Sequence, residues 1–245
     1  MPGRDREPTT VAPSTVSKNL GWAQITLDLD NQGFALIDRL IDPEECRSLV
    51  ALYSESERFR SRVIMASHGY GRGEYQYFAD PLPNSVTALR EQLYPGLAAI
   101  ANRWNERLGN SERFPDSLND FRAQCRAAGQ TKPTPLLLKY EAGDYNCLHQ
   151  DLYGDLVFPL QVAVLLSQPD QDFTGGEFVL TEQRPRMQSR AEVVPLRQGS
   201  AVVFPVHHRP VKGTRGDYRM NMRHGVSRIR SGERYTLGLI FHDAR

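Results

Sequence analysis

The stretch Leu138-Lys139-Tyr140-Glu141-Ala142-Gly143-Asp144-Tyr145-Asn146-Cys147-Leu148-His149-Gln150-Asp151 organises the chain. The apolar run 136–140 has the length of a strand, and Gly143 marks a turn. His-X-Asp follows. In an extended chain residues i and i+2 point the same way, so His149 and Asp151 can grip one ion together. A neutral imidazole, a carboxylate and a distant second His form the facial triad that holds non-haem Fe(II), with coordination positions left open for a cosubstrate and O2.

Outward from this stretch, the two halves of the chain differ. After Pro133, short apolar runs of strand length occupy 136–140, 160–167, 176–181, 192–196, 201–206, 218–229 and 235–242. Turn signals separate them: Gly175-Gly176, Arg197-Gln198-Gly199, 213–217 and Ser231-Gly232. Before Pro133 the pattern is largely helical. A strand at 33–41 leads to a helix start with Asp42 as N-cap, Pro43 in the first turn and Glu45 as capping-box acid, running to about residue 57. Asn84 or Ser85 caps a long helix with Leu89, Leu93, Leu97, Ile100 and Trp104 on one stripe, ending near Gly109, and a shorter helix spans 118–128. Residues 59–83 read as irregular, and the glycines at 69, 71 and 73 lack phosphate-loop spacing. They mark either a mobile substrate-facing loop or an ordinary connection. The expectation is an α+β fold: a double-stranded β-helix (jelly-roll or cupin-like) core at 133–245 and a helical preface at 21–132, one domain, with 1–20 disordered.

Composition sets limits. The chain has 245 residues, 40% of them hydrophobic, and a formal net charge of +1. No apolar run approaches the ~20 residues of a membrane span, and the N-terminus lacks an apolar signal core. Cys46, Cys125 and Cys147 are odd in number and widely spaced, which implies neither a disulfide framework nor a zinc cluster, and a reducing cytoplasm is expected. From Arg184 to Arg245 there are 13 Lys and Arg against 4 Asp and Glu. That bias fits an anion-binding face or a solvated strand face paired to the acidic half.

The partner segment lies near the C-terminus. His224 ends one strand, Ser231-Gly232 returns the chain, and Arg234 and Thr236 alternate onto one face of the next strand. If His224 completes the iron face, Arg234 points into the same interior and needs an anion, because a buried guanidinium without one is costly. A dicarboxylate cosubstrate clamped through its far carboxylate supplies that anion. His208 is the rival for the second imidazole; His68 and His242 read as structural or surface residues. Glu177 either faces the substrate or pairs with an Arg.

This set, His149-X-Asp151, His224, and Arg234 ten residues further with Thr236 beside it, resembles the Fe(II)/2-oxoglutarate-dependent dioxygenase superfamily. The first half, Lys139-Tyr140-X-X-Gly143 with Leu148-His149-Gln150-Asp151, is similar to the AlkB nucleic-acid demethylases, and the resemblance implies that Tyr140 touches the cosubstrate. The short spacing from His224 to Arg234 departs from AlkB and looks like the prolyl 4-hydroxylase branch. As a whole, including Phe173-Thr174-Gly175-Gly176-Glu177-Phe178, Gln183-Arg184-Pro185-Arg186 and Phe241-His242-Asp243, the chain resembles a family of bacterial oxygenases described as oxidatively demethylating damaged DNA.

The resemblance implies an enzyme with Fe(II), 2-oxoglutarate and O2, metal ligands His149, Asp151 and His224, and cosubstrate contacts from Arg234, Tyr140 and Thr236. The products are succinate, CO2 and, from an N-methyl base, formaldehyde. The expected partner is a single-stranded or flipped-base nucleic acid, and no protein partner is deducible. Tyr70, Tyr75, Tyr77 and Phe78 with Arg60, Arg62 and Arg72 could form a rim that stacks the base, and Tyr75, Tyr77, Arg72 and Glu177 are the substrate-contact candidates. Hydroxylation of a prolyl or other peptidyl or free amino acid is the alternative, and a non-catalytic cupin-like binding module is a further one.

Overall fold

The computed structural model describes residues 20–152 and 154–245. The disorder expected for 1–20 falls almost wholly outside these residues. The chain opens with α1 (Trp22–Gln32), β1 (Ala35–Ile37), α2 (Pro43–Ala51), β2 (Phe59–Ile64), β3 (Gly71–Arg72), β4 (Glu74–Phe78), α3 (Asn84–Arg107) and α4 (Leu118–Ala127). It continues all-β: β5 (Leu136–Glu141), β6 (Tyr145–His149), β7 (Leu160–Leu165), β8 (Phe173–Gly175), β9 (Phe178–Gln183), β10 (Ser189–Val194), β11 (Ala201–Pro205), β12 (His208–Gly213), β13 (Gly216–Val226) and β14 (Ile229–Leu239).

The strands form two antiparallel sheets, the two layers of a jelly roll. The major sheet runs β1-β11-β7-β14-β5-β4-β2, with β8 paired to β14. The minor sheet runs β10-β9-β13-β6-β3, with β12 paired to β13. Period-two alternation divides each major-sheet strand between two environments. Leu160, Val162 and Val164 of β7 and Leu237 and Leu239 of β14 join the helical residues Leu89, Leu93 and Leu97 in the largest core cluster. The intervening Ala163 packs instead against Phe178 and Leu180 of the minor sheet. One face of the sheet is sealed by helices and the other is given to the inter-sheet space.

Local signals explain the helices. Asp42 accepts from the Glu45 backbone N–H at 2.8 Å, as the capping pattern predicts, although α2 ends at Ala51 rather than near 57 and β1 is only three residues long. Ser117 caps α4 by accepting from the Asp120 N–H. The long helix begins at Asn84 behind Pro83, with no side-chain cap. No local pattern announces α1. Its Trp22 ring lies against Gly96 of α3, where an added Cβ would come within 2.3 Å.

Two expectations are corrected. Residues 59–83 are not irregular: β2 pairs with β4, and β4 pairs with β5, which extends the major sheet by two strands. Polar residues hide the alternation, since Arg60 covers the Tyr77 ring at 4.4 Å and Arg62 is ion-paired to Glu74. The helical preface therefore also supplies strands to both sheets. Ser231-Gly232 is not the return turn. The chain turns at Ser227-Arg228, and Ser231 and Gly232 lie within β14 where β8 joins it at an irregular register. Gly232 takes φ 77° with the Asp172 backbone closely packed behind it, so the glycine serves a strand irregularity rather than a hairpin.

Candidate metal centre

The Gly143 turn joins β5 to β6, and β6 delivers His149 at its last residue. In register with it on β13 stands His224, so two imidazoles from neighbouring strands face one another. Their ring centroids are 4.2 Å apart. Asp151, just past the strand end, closes the group: its carboxylate oxygens lie 3.4 Å from His149 Nε2 and 3.3 Å from His224 Nε2. One ligand atom from each of the three falls within 4.8 Å of the others, and no further such group of three occurs among the described residues. Gln150 between them donates to the Met222 and His207 carbonyls, which ties the His-X-Asp segment to the minor sheet.

The electrostatics suit a cation. Burial pushes the Asp151 carboxyl up, yet the hydrogen bonds from both imidazoles hold it well below its usual range. Burial and the neighbouring His149 push His224 down, which favours the neutral imidazole a metal needs. Burial also lowers His149, but the Asp151 hydrogen bond outweighs it and raises the group. The Cys147 carbonyl holds His149 Nδ1 at 2.7 Å, fixing the tautomer that turns Nε2 toward Asp151.

Across the space stands Arg234 on β14, directly opposite Tyr140 of β5. It is 1% exposed. Its Nη1 donates to Thr236 Oγ1 at 2.6 Å, its Nε has no partner, and no carboxylate ion-pairs with it among the described residues. The Tyr140 and Phe173 rings flank the guanidinium at 5.7 and 5.8 Å. Desolvation lowers its pKa to about 10. An unpaired buried charge costs several kcal/mol (roughly), and an anion entering beside it removes that cost. The donor set of two imidazoles, one carboxylate and an orphaned guanidinium fits an iron ion and a dicarboxylate together.

A cavity of about 310 Å³ joins these groups. Of the sequence candidates, His149, Asp151, His224, Arg234, Tyr140, Thr236, Tyr75 and Tyr77 all line it. Arg72 and Glu177 do not. Arg72 is exposed on β3, where it pairs with Tyr145. Glu177 is occupied by Ser227, whose hydroxyl donates to its carboxylate, rather than by an Arg or the cavity. His208 sits on β12 in register with Asn221, against His207, and does not join the cluster. Phe78, a rim candidate, is fully buried and stacked on Phe59. His68 stacks on Tyr70, and His242 is buried. Sequence reasoning missed Asn146, which donates to the Tyr140 hydroxyl at 3.4 Å. It also missed Phe178 and Phe204, whose rings pack 6.0 and 4.6 Å from that of His224. Gln161, also missed, carried a signal: it is polar inside the apolar run 160–166.

Comparison with known proteins identifies the family and the fold. A sequence model of a family described as an oxygenase catalysing oxidative methylation of damaged DNA matches residues 73–244. An uncharacterized protein of Mycobacterium tuberculosis is 51% identical over 190 residues, which is 76% of this chain and 82% of that protein. Among solved structures, a Pseudomonas putida prolyl-4-hydroxylase superposes with TM-score 0.52 at 16% identity, covering 91% of this chain and 99% of that one. A 2OG-Fe(II) oxygenase family oxidoreductase from Burkholderia pseudomallei gives TM-score 0.52 at 17% identity, covering 91% and 92%.

Proposed function

Because the chain belongs to the oxygenase family described as catalysing oxidative methylation of damaged DNA, within the Fe(II)/2-oxoglutarate-dependent oxygenases, we propose that it is an oxidative demethylase of alkylated nucleic-acid bases. The protein is an oxidoreductase that uses Fe(II), 2-oxoglutarate and O2. In this reading His149, Asp151 and His224 hold the iron, and Arg234 and Thr236 take the far carboxylate of 2-oxoglutarate. Tyr140 backs the guanidinium. Iron held by His149, Asp151 and His224 would couple the oxidation of 2-oxoglutarate by O2, to succinate and CO2, to hydroxylation of a substrate C–H bond. On an N-methyl carbon the hydroxymethyl product releases formaldehyde and the unmethylated base.

The chain's own residues do the rest. Asp151, held ionised, and His224, held neutral, keep the donor atoms ready. Phe178 and Phe204 exclude water from behind His224. Tyr75 and Tyr77, in edge-to-face contact at 5.3 Å, give the cavity an aromatic wall on which a flat base can stack. The observation that carries the reading is the orphaned Arg234 in the same cavity as the His-Asp-His cluster. The DNA substrate is supported by the family description, by that wall and by the basic C-terminal segment. The ten-residue spacing from His224 to Arg234 favours a second reading, hydroxylation of a prolyl or other amino-acid side chain.

The test is mass spectrometry of N-methylated single-stranded oligonucleotides incubated with Fe(II), 2-oxoglutarate and O2. Loss of one CH2 with formaldehyde release, absent in His149→Ala, is expected. Intact oligonucleotide alongside oxidised prolyl peptide would transfer the assignment to the second reading.

A further inference from the structure

Gln161 of β7 is 5% exposed, lines the cavity, and its Nε2 has no hydrogen-bond partner. Its neighbours along the strand, Leu160 and Val162, face the helices, while Gln161 shares the cavity face with Ala163. A buried amide without a partner costs about 1–3 kcal/mol. No fold requirement calls for one here, since the register position is otherwise filled by apolar side chains.

The strand registers locate Gln161 relative to the cosubstrate groups. Thr236 pairs with Leu165, and Gly238 pairs with Ala163. Gln161 lies two residues beyond Ala163, so it is four residues, about 13 Å, from the Thr236 level. The five-carbon chain of 2-oxoglutarate, anchored at Arg234 and Thr236, is shorter than that. Between the two poles the floor is Gly238 and Ala163, the smallest side chains available, which leaves the space hollow. On its other side Gln161 is in register with Phe204, whose ring packs 4.6 Å from that of His224. The amide thus belongs to the metal side of the cavity, opposite the guanidinium pole.

The geometry points to Gln161 as the residue that reads the substrate: its side-chain amide pairs with the hydrogen-bonding edge of a nucleobase lying among the cavity's aromatic rings. A Gln amide offers one donor group and one acceptor side by side, the pattern that matches an adenine edge in two hydrogen bonds. The rings of Tyr75, Tyr77, Phe178 and Phe204 on the cavity wall favour a flat group over a saturated one. The inference rests on the demethylase reading and names the group within the cavity that selects the base.

The experiment compares wild type with Gln161→Leu and Gln161→Glu, using a single-stranded oligonucleotide with one N-methylated adenine. Formaldehyde release gives KM and kcat. Titration of 2-oxoglutarate into the Mn(II)-loaded proteins reports the other pole, and thermal unfolding checks that both variants fold. The expected result is at least a ten-fold rise in oligonucleotide KM for both variants, with 2-oxoglutarate affinity held within two-fold. Unchanged KM would overturn the role of Gln161 while leaving the demethylase reading intact. Weakened 2-oxoglutarate binding would also overturn it, by moving the amide to the cosubstrate's pole. If wild type leaves the oligonucleotide untouched and hydroxylates a prolyl peptide instead, both the demethylase reading and the base-reading role fall.

Discussion

Arg209 and Arg234 are both almost wholly buried, 3% and 1% exposed, on different sheets of the same sandwich, yet they live in opposite circumstances. Arg209 of β12 is enclosed by protein: Nη2 donates to Glu182 at 2.8 Å and Nη1 to the Asp30 carbonyl at 2.7 Å. Around it, Asp30 also binds Arg103, Arg107 and the Trp104 indole, and Arg107 reaches Asp217. Those bonds tie α1 and α3 to the minor sheet. Arg234 has a single hydroxyl, two aromatic faces and no counter-ion among the described residues. The Nε of Arg209 lacks a partner just as that of Arg234 does, so the difference is the counter-ion: a buried charge paired with a carboxylate organises the fold. An unsatisfied one marks where the fold expects something from outside.

The largest test of that contrast removes the centre it serves. Asp151→Ala takes away the only carboxylate of the His-Asp-His group and leaves two imidazoles facing each other. Succinate formation should fall at least about a thousand-fold, roughly 4 kcal/mol in barrier, with metal binding measured alongside. Retained turnover would remove the group from the chemistry.

Next come the two arginines themselves. Arg209→Ala leaves Glu182 with only the exposed Arg190 and removes the bond to the Asp30 carbonyl; a loss of about 3 kcal/mol should lower the melting temperature by about 10 °C while 2-oxoglutarate affinity holds. Arg234→Ala should do the reverse: little change in melting temperature, or a rise, and 2-oxoglutarate affinity weaker by about ten- to a hundred-fold. Equal melting shifts in the two variants would erase the distinction.

A smaller effect belongs to the enclosed C-terminal region. His242 is buried, its Nδ1 accepts from the Phe158 N–H, and burial pulls its pKa down to about 4. The folded state therefore holds this group neutral between pH 4 and the unfolded value near 6.5, while the unfolded chain takes up the proton. Its contribution is present above pH 6.5 and is lost as pH falls toward 4, by about 3 kcal/mol in all. His242→Gln should flatten this acid-side slope in denaturant titrations; an unaltered slope would assign the loss elsewhere. The smallest effect concerns exposed Arg223 on the outward side of β13. Arg223→Ala should weaken oligonucleotide binding only a few-fold and lower its salt slope by about one. An unchanged slope would take that residue off the nucleic-acid path.

Much of this was legible before the fold. His149 and Asp151 could be paired on paper because i, i+2 spacing is a local property, and Arg234 and Thr236 share a face for the same reason, whereas His224 was joined to them through the resemblance, since the strand that lies beside β6 is set by tertiary register. The fold class followed from the apolar runs after Pro133. The tyrosine-bearing strands at 59–78 were hidden because their polar residues are satisfied by tertiary partners, Arg60 by the Tyr77 ring and the Pro133 carbonyl, and Arg62 by Glu74. Ser231-Gly232 misled because a glycine with positive φ serves a bulge as readily as a turn. Glu177 and Arg72 could not be placed, since which exposed polar residue meets a cavity depends on sheet curvature that no local pattern encodes. Gln161 stood in plain view as the one polar residue of an apolar run, and only the register gave it meaning.

If Arg234 takes the far carboxylate of 2-oxoglutarate in the cavity lined by His149, Asp151 and His224, its removal must weaken that ligand and leave the metal held. Calorimetric titration of 2-oxoglutarate, without O2, into the Mn(II)-loaded wild type and Arg234→Ala tests it directly. A ten-fold or greater loss of 2-oxoglutarate affinity with Mn(II) affinity unchanged is the predicted result. Equal 2-oxoglutarate affinity in the two proteins would contradict it.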